Sequence, residues 1–271
     1  MNIIVCIKQV PNTADVRIDP VTNTLIREGV ESIVNPFDMY AIEEAIRIRE
    51  KYGGKITVVC MGPLQAQDAL KEAVSMGADS AVLLSDRAFA GSDTWATSYI
   101  LAKALGKLAP VDLIICGKQA SDGDTAQVGP GIAVNLDLPQ ITYVRKIEEL
   151  KLPDEQGKKG FIRAERLLEE GYEVVESSLP ALITVVKEIN EPRLPSLRGK
   201  IKANKMEIPV WNAEAIDASS SRIGLPGSAT EVKKIFSPPK RTGGKIFTGE
   251  VKETAAQLAR ELIDKGIVCS K

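Results

Sequence analysis

The sequence predicts an α/β protein in which a mostly parallel sheet is covered by helices on both faces. Apolar runs alternate with helical stripes through the first half, a pattern typical of parallel sheets. Short β-like stretches then follow with few helical patterns between them, and we expect them to add antiparallel strands to the sheet. A proline-rich segment near the carboxyl terminus predicts an arm outside the sheet.

Each predicted strand of the first half is followed by a predicted helix. The strands are Ile3–Ile7, Lys55–Met61, Ala81–Leu84 and Leu113–Cys116. An irregular excursion, Val10–Ser32, separates the first strand from its helix. The first predicted helix is Asp38–Tyr52, and the second is opened by Pro63 and ended by Gly77. The third is capped by Ser92 or Asp93 and runs to about Leu108. The fourth runs from about Asp124 to Leu136.

The second half has a different character. Its predicted strands are Ile141–Ile147, Gly160–Arg166, Tyr172–Glu176 and Ala181–Val186. Segment 191–245 keeps no core-forming period, so we expect it to be either disordered or an arm ordered by a partner. Glu250–Lys265 returns to an amphipathic helix. We therefore expect an α/β domain over residues 1–190 and an arm with a terminal helix over residues 191–271.

Composition excludes several classes of function. The net charge of −1 predicts no nucleic-acid partner. No apolar run approaches the roughly 18 residues of a membrane span. Because Met1 leads directly into the first strand without a basic leader, we expect a cytoplasmic protein.

Histidine and cysteine usage narrows the chemistry further. The chain has no histidine, which excludes Ser-His-Asp and Cys-His catalysis and the usual zinc enzymes. Cys6, Cys60, Cys116 and Cys269 lack the close spacing of metal or redox motifs. We expect small core residues at these positions, no metal site and no iron–sulfur cluster.

The densest chemical signal is the loop 117–129, which links a predicted strand to a predicted helix. At the carboxyl edge of a parallel sheet, free amides and the helix dipole favour an anion, and glycines allow close approach. Thr125 and Gln127 add side-chain hydrogen bonds to phosphate or ribose. The alternative is an ordinary capped turn, and the pattern is neither a P-loop nor a GxGxxG motif. The candidate ligand-binding residues are Gly117, Lys118, Gln119, Asp122, Gly123, Asp124, Thr125, Ala126, Gln127, Val128 and Gly129.

Two further loops are predicted at the same edge. One is Asn35, Pro36, Phe37 and Asp38, which by itself indicates a helix start. The other is Met61-Gly62-Pro63 at the end of the second strand. Together the three loops could form a pocket for adenine and ribose.

Several stretches of the sequence resemble those of a known protein family. The stretch AERLLEEGYEVVESSLPALIT, residues 164–184, resembles the signature of electron transfer flavoprotein beta subunits. Further similar stretches are VCIKQVP at 5–11, NPFD at 35–38, KQASDGDTAQVG at 118–129 and NEPRLPSLRGKIKANK at 190–205. The resemblance covers nearly the whole chain and is weakest after about Val210. It implies a Rossmann-like, adenine-nucleotide-binding fold.

Family membership implies a partner and a ligand. The beta subunit pairs with an alpha subunit that carries a mobile FAD domain, and the terminal helix would pack on that subunit. Its own pocket would use Cys6, Asn35–Asp38, Met61 and residues 122–133. In ordinary members this pocket holds AMP as a structural ligand. In electron-bifurcating members it holds a second FAD that takes a hydride from NADH, so no side chain is a catalytic acid or base.

The segment SDRAFAGSDT, residues 85–94, bears on this choice. It resembles the SDRAF-x-G-x-DT segment of bifurcating members, which lies against the second flavin. Arg87 offers a fixed cation, Phe89 an aromatic packing surface, and Asp93 and Thr94 a helix cap beside the diphosphate. The alternative is a capped loop with an incidental arginine. We therefore expect FAD in preference to AMP.

The resemblance also implies a docking loop. In the family, the segment matching 191–205 anchors the partner dehydrogenase, and Leu197 stands at the position of the anchoring leucine, with Leu194 nearby. Arg198-Gly199 replaces a frequent proline–asparagine pair. Expected partners are an acyl-CoA, enoyl-CoA or lactate dehydrogenase, and ferredoxin as the low-potential acceptor. An adenine-nucleotide-binding regulatory module is the alternative from another functional class.

Overall fold

The computed structural model describes residues 1–12, 17–18, 25–26, 32–153, 160–234 and 243–268. The chain forms two compact units, Met1–Lys234 and Ile235–Lys271. The strands are β1 (Asn2–Ile7), β2 (Gln9–Pro11), β3 (Arg17–Ile18), β4 (Leu25–Ile26), β5 (Ser32–Val34), β6 (Lys55–Met61), β7 (Ser80–Leu84), β8 (Leu113–Gly117), β9 (Gln140–Lys151), β10 (Phe161–Leu168), β11 (Gly171–Ser178), β12 (Ala181–Val185) and β13 (Val210–Trp211). The α-helices are α1 (Pro36–Tyr52), α2 (Gln67–Met76), α3 (Thr94–Lys107), α4 (Val128–Leu136), α5 (Leu197–Lys205) and α6 (Val251–Asp264).

One nine-stranded sheet organises the first unit, in the order β11-β10-β9-β12-β8-β1-β6-β7-β13. In this sheet every neighbouring pair from β9 to β13 is parallel, whereas β10 pairs antiparallel with both β9 and β11. The chain adds β6 and β7 on one side of β1 and then returns to place β8 on its other side. In sheets of this kind, ligands bind at the carboxyl ends of the strands where the order reverses, which here are β1 and β8.

The parallel strands are buried on both faces. Ile3 and Val5 of β1 pack with Ile42 of α1 and Leu70 of α2 on one face. Ile4 and Cys6 pack on the other face, which includes Ile100 of α3 and Ile132 of α4. Because helices cover both faces, the strands are continuous apolar runs and their polar chemistry is confined to the loops at their ends.

The predicted fold class is confirmed, and three details of the prediction are wrong. Pro63 is followed by a 3₁₀ turn, Leu64–Ala66, before α2 begins. The helix expected from Asp124 begins at Val128, because the backbone of Asp124 and Ala126 is left-handed. β12 pairs parallel with both β8 and β9, although an antiparallel strand was expected.

The segment after residue 190 is ordered on its own domain as far as residue 234. α5 lies against α2 so closely that a Cβ on Gly199 would overlap the carbonyl of Ser75. Lys202 Nζ donates to the carbonyl of Ala78, 2.9 Å away. β13 then extends the sheet beside β7. The expectation of disorder is therefore wrong for residues 191–234, and ordering by a partner stays a prediction.

The second unit contains α6, as expected from the sequence. No residue of this helix is buried within the unit's described residues, and Val251, Leu258 and Ile263 are exposed. In the described ranges, no helix combines the length and apolar character needed to cross a membrane. Most of the predicted excursion Val10–Ser32, and Cys269, lie outside the described residues.

Candidate functional site

A buried asparagine joins two of the predicted loops at the carboxyl edge. Asn35 directly precedes α1, and its backbone N–H donates to the carbonyl of Lys8 at 2.8 Å. Its side-chain Nδ2 donates to the carbonyl of Gln119 at 2.9 Å, and its Oδ1 accepts from the amide of Ser121 at 3.0 Å. Asn35 therefore ties the loop after β1 to the loop after β8.

Asp38 reinforces this junction from the first turn of α1. Its Oδ2 accepts from the Lys8 amide at 2.7 Å, and the amide of Gly117 also hydrogen-bonds to the carboxyl group. Gly117 passes so close that a Cβ there would overlap Asp38 Oδ1. Burial raises the pKa of Asp38 to about 7, although these hydrogen bonds act to lower the pKa. We call Lys8, Asn35, Asp38, Gly117 and Ser121 the junction.

The loop beyond the junction, residues 122–127, is open. Its backbone turns through the left-handed region at Asp124 (φ 53°) and Ala126 (φ 54°), where residues other than glycine are uncommon. Asp122 pairs with Lys8, with Oδ1 and Nζ 2.6 Å apart. A Cβ on Gly123 would meet no atom within 4 Å. The loop thus presents its backbone to solvent beside the junction.

The start of α4 completes this side of the site. The amides of Val128 and Gly129 begin the helix and so have no acceptor within it. Gly129 is buried against β12, where an added Cβ would lie 2.6 Å from Thr184 Cγ2. Gly129 is therefore required for close packing of the helix, which differs from the expected role in making room for a ligand.

The segment after β7 reaches the same loop. Asp93 caps α3 by accepting from the amide of Ala96 at 3.0 Å, as expected, whereas Ser92 donates to the carbonyl of Phe89. Thr94 Oγ1 donates to Gln127 Oε1 at 3.1 Å. The structure thereby brings Thr94 and Gln127 together, two residues predicted separately to bind the ligand.

Arg87 and Phe89 of this segment occupy different environments. The Arg87 side chain is exposed and forms no ion pair with any residue in the described ranges. Phe89 is only 5% exposed and packs in the core cluster that contains Tyr99. Arg87 is thus free to meet an anion, while Phe89 mainly anchors its segment to the core.

A strap that sequence reasoning missed supports this segment. We define the strap as residues 213–230. Asp86 Oδ2 accepts from the amide of Ala213 at 2.9 Å, and Asp93 Oδ2 accepts from the amide and hydroxyl of Thr230 at 2.9 and 3.0 Å. Ser228 Oγ accepts from the Asp93 amide at 2.9 Å. Hydrogen bonds of this kind produce no periodic pattern of apolar residues in the sequence. The only sequence signal for the strap was therefore the cluster of Asx, Ser and Gly residues in this stretch.

The described cysteines lie beneath the site. Cys6 and Cys116 are register partners on β1 and β8, and both are buried together with Cys60 on β6. Burial raises the pKa of the Cys60 thiol to about 12. The hydrogen bond with Cys6, together with burial, raises the pKa of the Cys116 thiol. Met61 at the end of β6 packs against the cluster that contains Cys6 and Cys116, whereas Cys60 lies in the cluster on the other face of the sheet.

Taken together, the edge offers a site for an anionic nucleotide. Free helix amides, an open glycine and the unpaired cation of Arg87 suit phosphate groups. Carboxylate, cysteine and histidine side chains form no metal-binding cluster within the described ranges. The donors at this edge therefore fit a phosphate-bearing ligand.

Comparison with known proteins identifies the family of the chain. The sequence model of the electron transfer flavoprotein domain matches residues 22–216. The electron transfer flavoprotein subunit beta of Thermoanaerobacterium thermosaccharolyticum is 53% identical over 99% of this chain and 100% of that protein. The chain belongs to the beta-subunit family of electron transfer flavoproteins.

Other relatives extend the same picture. The electron transfer flavoprotein subunit beta of Megasphaera elsdenii is 52% identical over 92% of each chain. The caffeyl-CoA reductase-Etf complex subunit CarD of Acetobacterium woodii is 49% identical over 99% of this chain and 100% of that protein. Members of this family bind flavin or AMP and work with an alpha subunit and with dehydrogenases. The chain is accordingly an electron-transfer subunit.

The signature stretch 164–184 occupies a defined place in this beta subunit. It spans most of β10, all of β11 and the first residues of β12. Its carboxyl-terminal end adjoins the site, where buried Leu182 and Thr184 pack beside Gly129. The signature therefore mainly marks the antiparallel extension of the sheet.

Proposed function

We propose that this beta subunit belongs to the electron-bifurcating branch of the family and holds FAD at the carboxyl edge of its sheet. The bound FAD would accept a hydride from NADH and divide the electrons between ferredoxin and, through the FAD of the alpha subunit, a partner dehydrogenase. The observation that carries the proposal is the position of segment 85–94, which is joined to the loop 117–129 by the bond between Thr94 and Gln127.

The contribution of the protein is to bind and orient the nucleotide. The amides at the start of α4 and the backbone of the loop 122–127 would receive the phosphates. The exposed Arg87, on the segment joined to this loop, would supply a planar, permanently charged donor. A cation at this position favours FAD, with its diphosphate and extended flavin, over AMP, which has a single phosphate.

One relative supports a reductase as the partner. The Acetobacterium woodii protein, 49% identical, is by name a subunit of a caffeyl-CoA reductase complex, so it works beside an enzyme that reduces a CoA thioester. We propose that this chain likewise pairs with an alpha subunit and a dehydrogenase that acts on acyl-CoA, enoyl-CoA or lactate. An ordinary carrier with structural AMP, or a nucleotide-binding regulatory module, are the competing outcomes.

The deciding experiment is the nucleotide content of the heterodimer with its alpha subunit. We expect two FAD and no AMP after denaturation and chromatography. Arg87→Gln is expected to lower beta-site FAD occupancy while the alpha flavin remains, and Arg222→Gln serves as a control on an exposed arginine of the strap. One FAD plus one AMP would show the ordinary carrier, and recovery of the chain without a flavin-bearing partner would favour the regulatory module.

We also propose that residues 191–205 dock the dehydrogenase and that α6 packs on the alpha subunit. Leu194 is 88% exposed and Leu197 is 77% exposed, both on a segment held by charged contacts. Arg193 bridges Glu43 and Glu50 of α1, with nitrogen–oxygen distances of 2.8 and 2.6 Å. Large apolar side chains on a rigid, exposed segment are typical of protein contacts.

Leu197→Ala tests the docking role. Burial of one leucine in a partner contributes roughly 1.5–3 kcal/mol, so dehydrogenase affinity is expected to fall about tenfold to a hundredfold. The melting temperature and flavin content of the heterodimer are expected to stay unchanged, because the side chain is exposed there. Leu225→Ala, on the strap, is the exposed control. A lower melting temperature with unchanged dehydrogenase affinity would show that Leu197 packs against the alpha subunit.

A further inference from the structure

Tyr143 has an unusual backbone for its residue type. It lies in β9 with φ +60°, in the left-handed region that bulky side chains rarely occupy. Such a conformation persists only where its surroundings hold it, and it is concentrated at functional sites. The register between β12 and β9 shifts between Ile183 and Val185, directly opposite this residue.

The contacts of Tyr143 lead to the candidate site. Its amide donates to Thr184 Oγ1 at 3.0 Å, and Thr184 is the buried residue against which Gly129 packs. Its ring faces the Lys118 ammonium, with 5.0 Å from Nζ to the ring centroid. The ring of Phe37 lies 5.8 Å from the same nitrogen. The bulge thus places an aromatic ring beside a cation of the loop 117–129.

The charge of Lys118 is not balanced by the protein. Lys8, on the neighbouring strand end, is paired with Asp122. Lys118 forms no ion pair with a carboxylate anywhere in the described ranges, and only its backbone is fixed, by a 2.9 Å bond from its amide to the carbonyl of Val185. Aromatic faces hold a cation in place without neutralising it. A cation of this kind is suited to an anion that arrives with the ligand.

We infer that Tyr143 is a positioning residue that holds the Lys118 ammonium, between its own ring and that of Phe37, to receive a phosphate of the bound nucleotide. The strained backbone is what turns the ring toward Lys118, since a regular β conformation would direct the side chain to another side of the strand. This inference rests on the proposed nucleotide site but not on the choice between FAD and AMP.

The test uses nucleotide-depleted heterodimer titrated with AMP, which contains the adenosine phosphate common to both candidate ligands. Tyr143→Asn removes the ring but suits the left-handed backbone, so thermal stability is expected to be retained. We expect the Kd for AMP to rise about tenfold, within the range of cation–π energies. Tyr143→Phe keeps the ring and is expected to bind within about twofold of the original protein.

Lys118→Gln tests the same role independently, because this substitution does not involve the left-handed backbone of Tyr143. We expect a similar loss of affinity, a weaker dependence of Kd on salt, and no additional loss in the double variant. An unchanged Kd in Tyr143→Asn or Lys118→Gln, or fully additive losses, would overturn the role of Tyr143. If the original heterodimer itself does not bind AMP or FAD at the beta subunit, the proposed function fails instead.

Discussion

The two halves of the site are built in opposite ways. The junction is built on the buried side chains of Asn35 and Asp38, whose polar groups meet backbone atoms of neighbouring loops. The loop 122–127 is mostly exposed, turns through left-handed residues and leaves Gly123 with nothing nearby. Buried polar groups must be satisfied internally, whereas open backbone groups remain available. The difference indicates that the junction sets the position of the site and the loop contacts the ligand.

Gly117→Ala is expected to give the largest loss of stability. The new Cβ would overlap the Asp38 carboxylate and the backbone of Phe37, so the two loops must separate. We expect a loss of about 3 kcal/mol, the upper end for overpacking in a well-packed region, in chemical denaturation. Gly106→Ala, in open space on α3, is the matched control. An unchanged free energy of unfolding would show that the junction is loose.

Asn35→Ala is expected to have the next largest effect. It leaves the carbonyl of Gln119 and the amide of Ser121 without their side-chain partner. Loss of two part-buried hydrogen bonds is expected to cost about 2 kcal/mol, measured by chemical denaturation. The half-buried Asn135→Ala is the control, with a smaller loss. Equal losses in both variants would contradict the special role of the junction.

Asp38→Asn is expected to change how stability depends on pH. The folded-state pKa of about 7 exceeds the unfolded value of 3.8, so the folded protein binds this proton more tightly. The contribution of Asp38 is therefore fully present below about pH 4 and is lost as pH rises toward 7. The stability deficit of the variant relative to the original protein is expected to shrink between pH 4 and 7.

Thermal unfolding across that pH range measures this difference. The exposed Asp137→Asn is the control, because asparagine suits its left-handed backbone. A deficit in Asp38→Asn that is constant with pH would mean that Asp38 is ionised throughout and that burial does not dominate its environment.

Gly123→Ala is expected to leave stability nearly unchanged and to weaken nucleotide binding. Nothing lies within 4 Å of the added Cβ, so any loss of affinity reports a ligand that approaches this backbone. We expect a fall of about tenfold, the effect of an unfavourable contact worth about 1.4 kcal/mol. Gly129→Ala is the contrasting variant, since its Cβ would meet Thr184 and lower stability first. Unchanged affinity in Gly123→Ala would place the ligand elsewhere.

The sequence was sufficient to predict those elements whose apolar residues follow a single periodicity. Lys55–Met61 was predicted with its observed bounds, and the capping role of Asp93 followed from residue type. The direction of β12 was missed, because an apolar run has the same pattern in parallel and antiparallel pairing. The late start of α4 was missed because Asp124 and Ala126 adopt a left-handed backbone that their residue types do not specify.

The site was predicted as a set of loops but not as two halves. Asn35 and Gln127 were predicted to line one crevice, and only the structure shows that Asn35 fixes backbone whereas Gln127 meets Thr94. Tyr143 and the strap were missed entirely, since their contacts depend on the packing of distant segments.

The position of β12 also determines when the sheet can be completed during synthesis of the chain. This strand lies between β8 and β9, and residues 118–180 must be synthesised after β8 before it can fill that place. At ordinary elongation rates this takes several seconds. During that interval the edge of β8 has no neighbour on one side, and the newly made chain carries an unpaired apolar strand. One edge of the amino-terminal part of the sheet therefore stays unpaired until Ala181–Val185 has been synthesised.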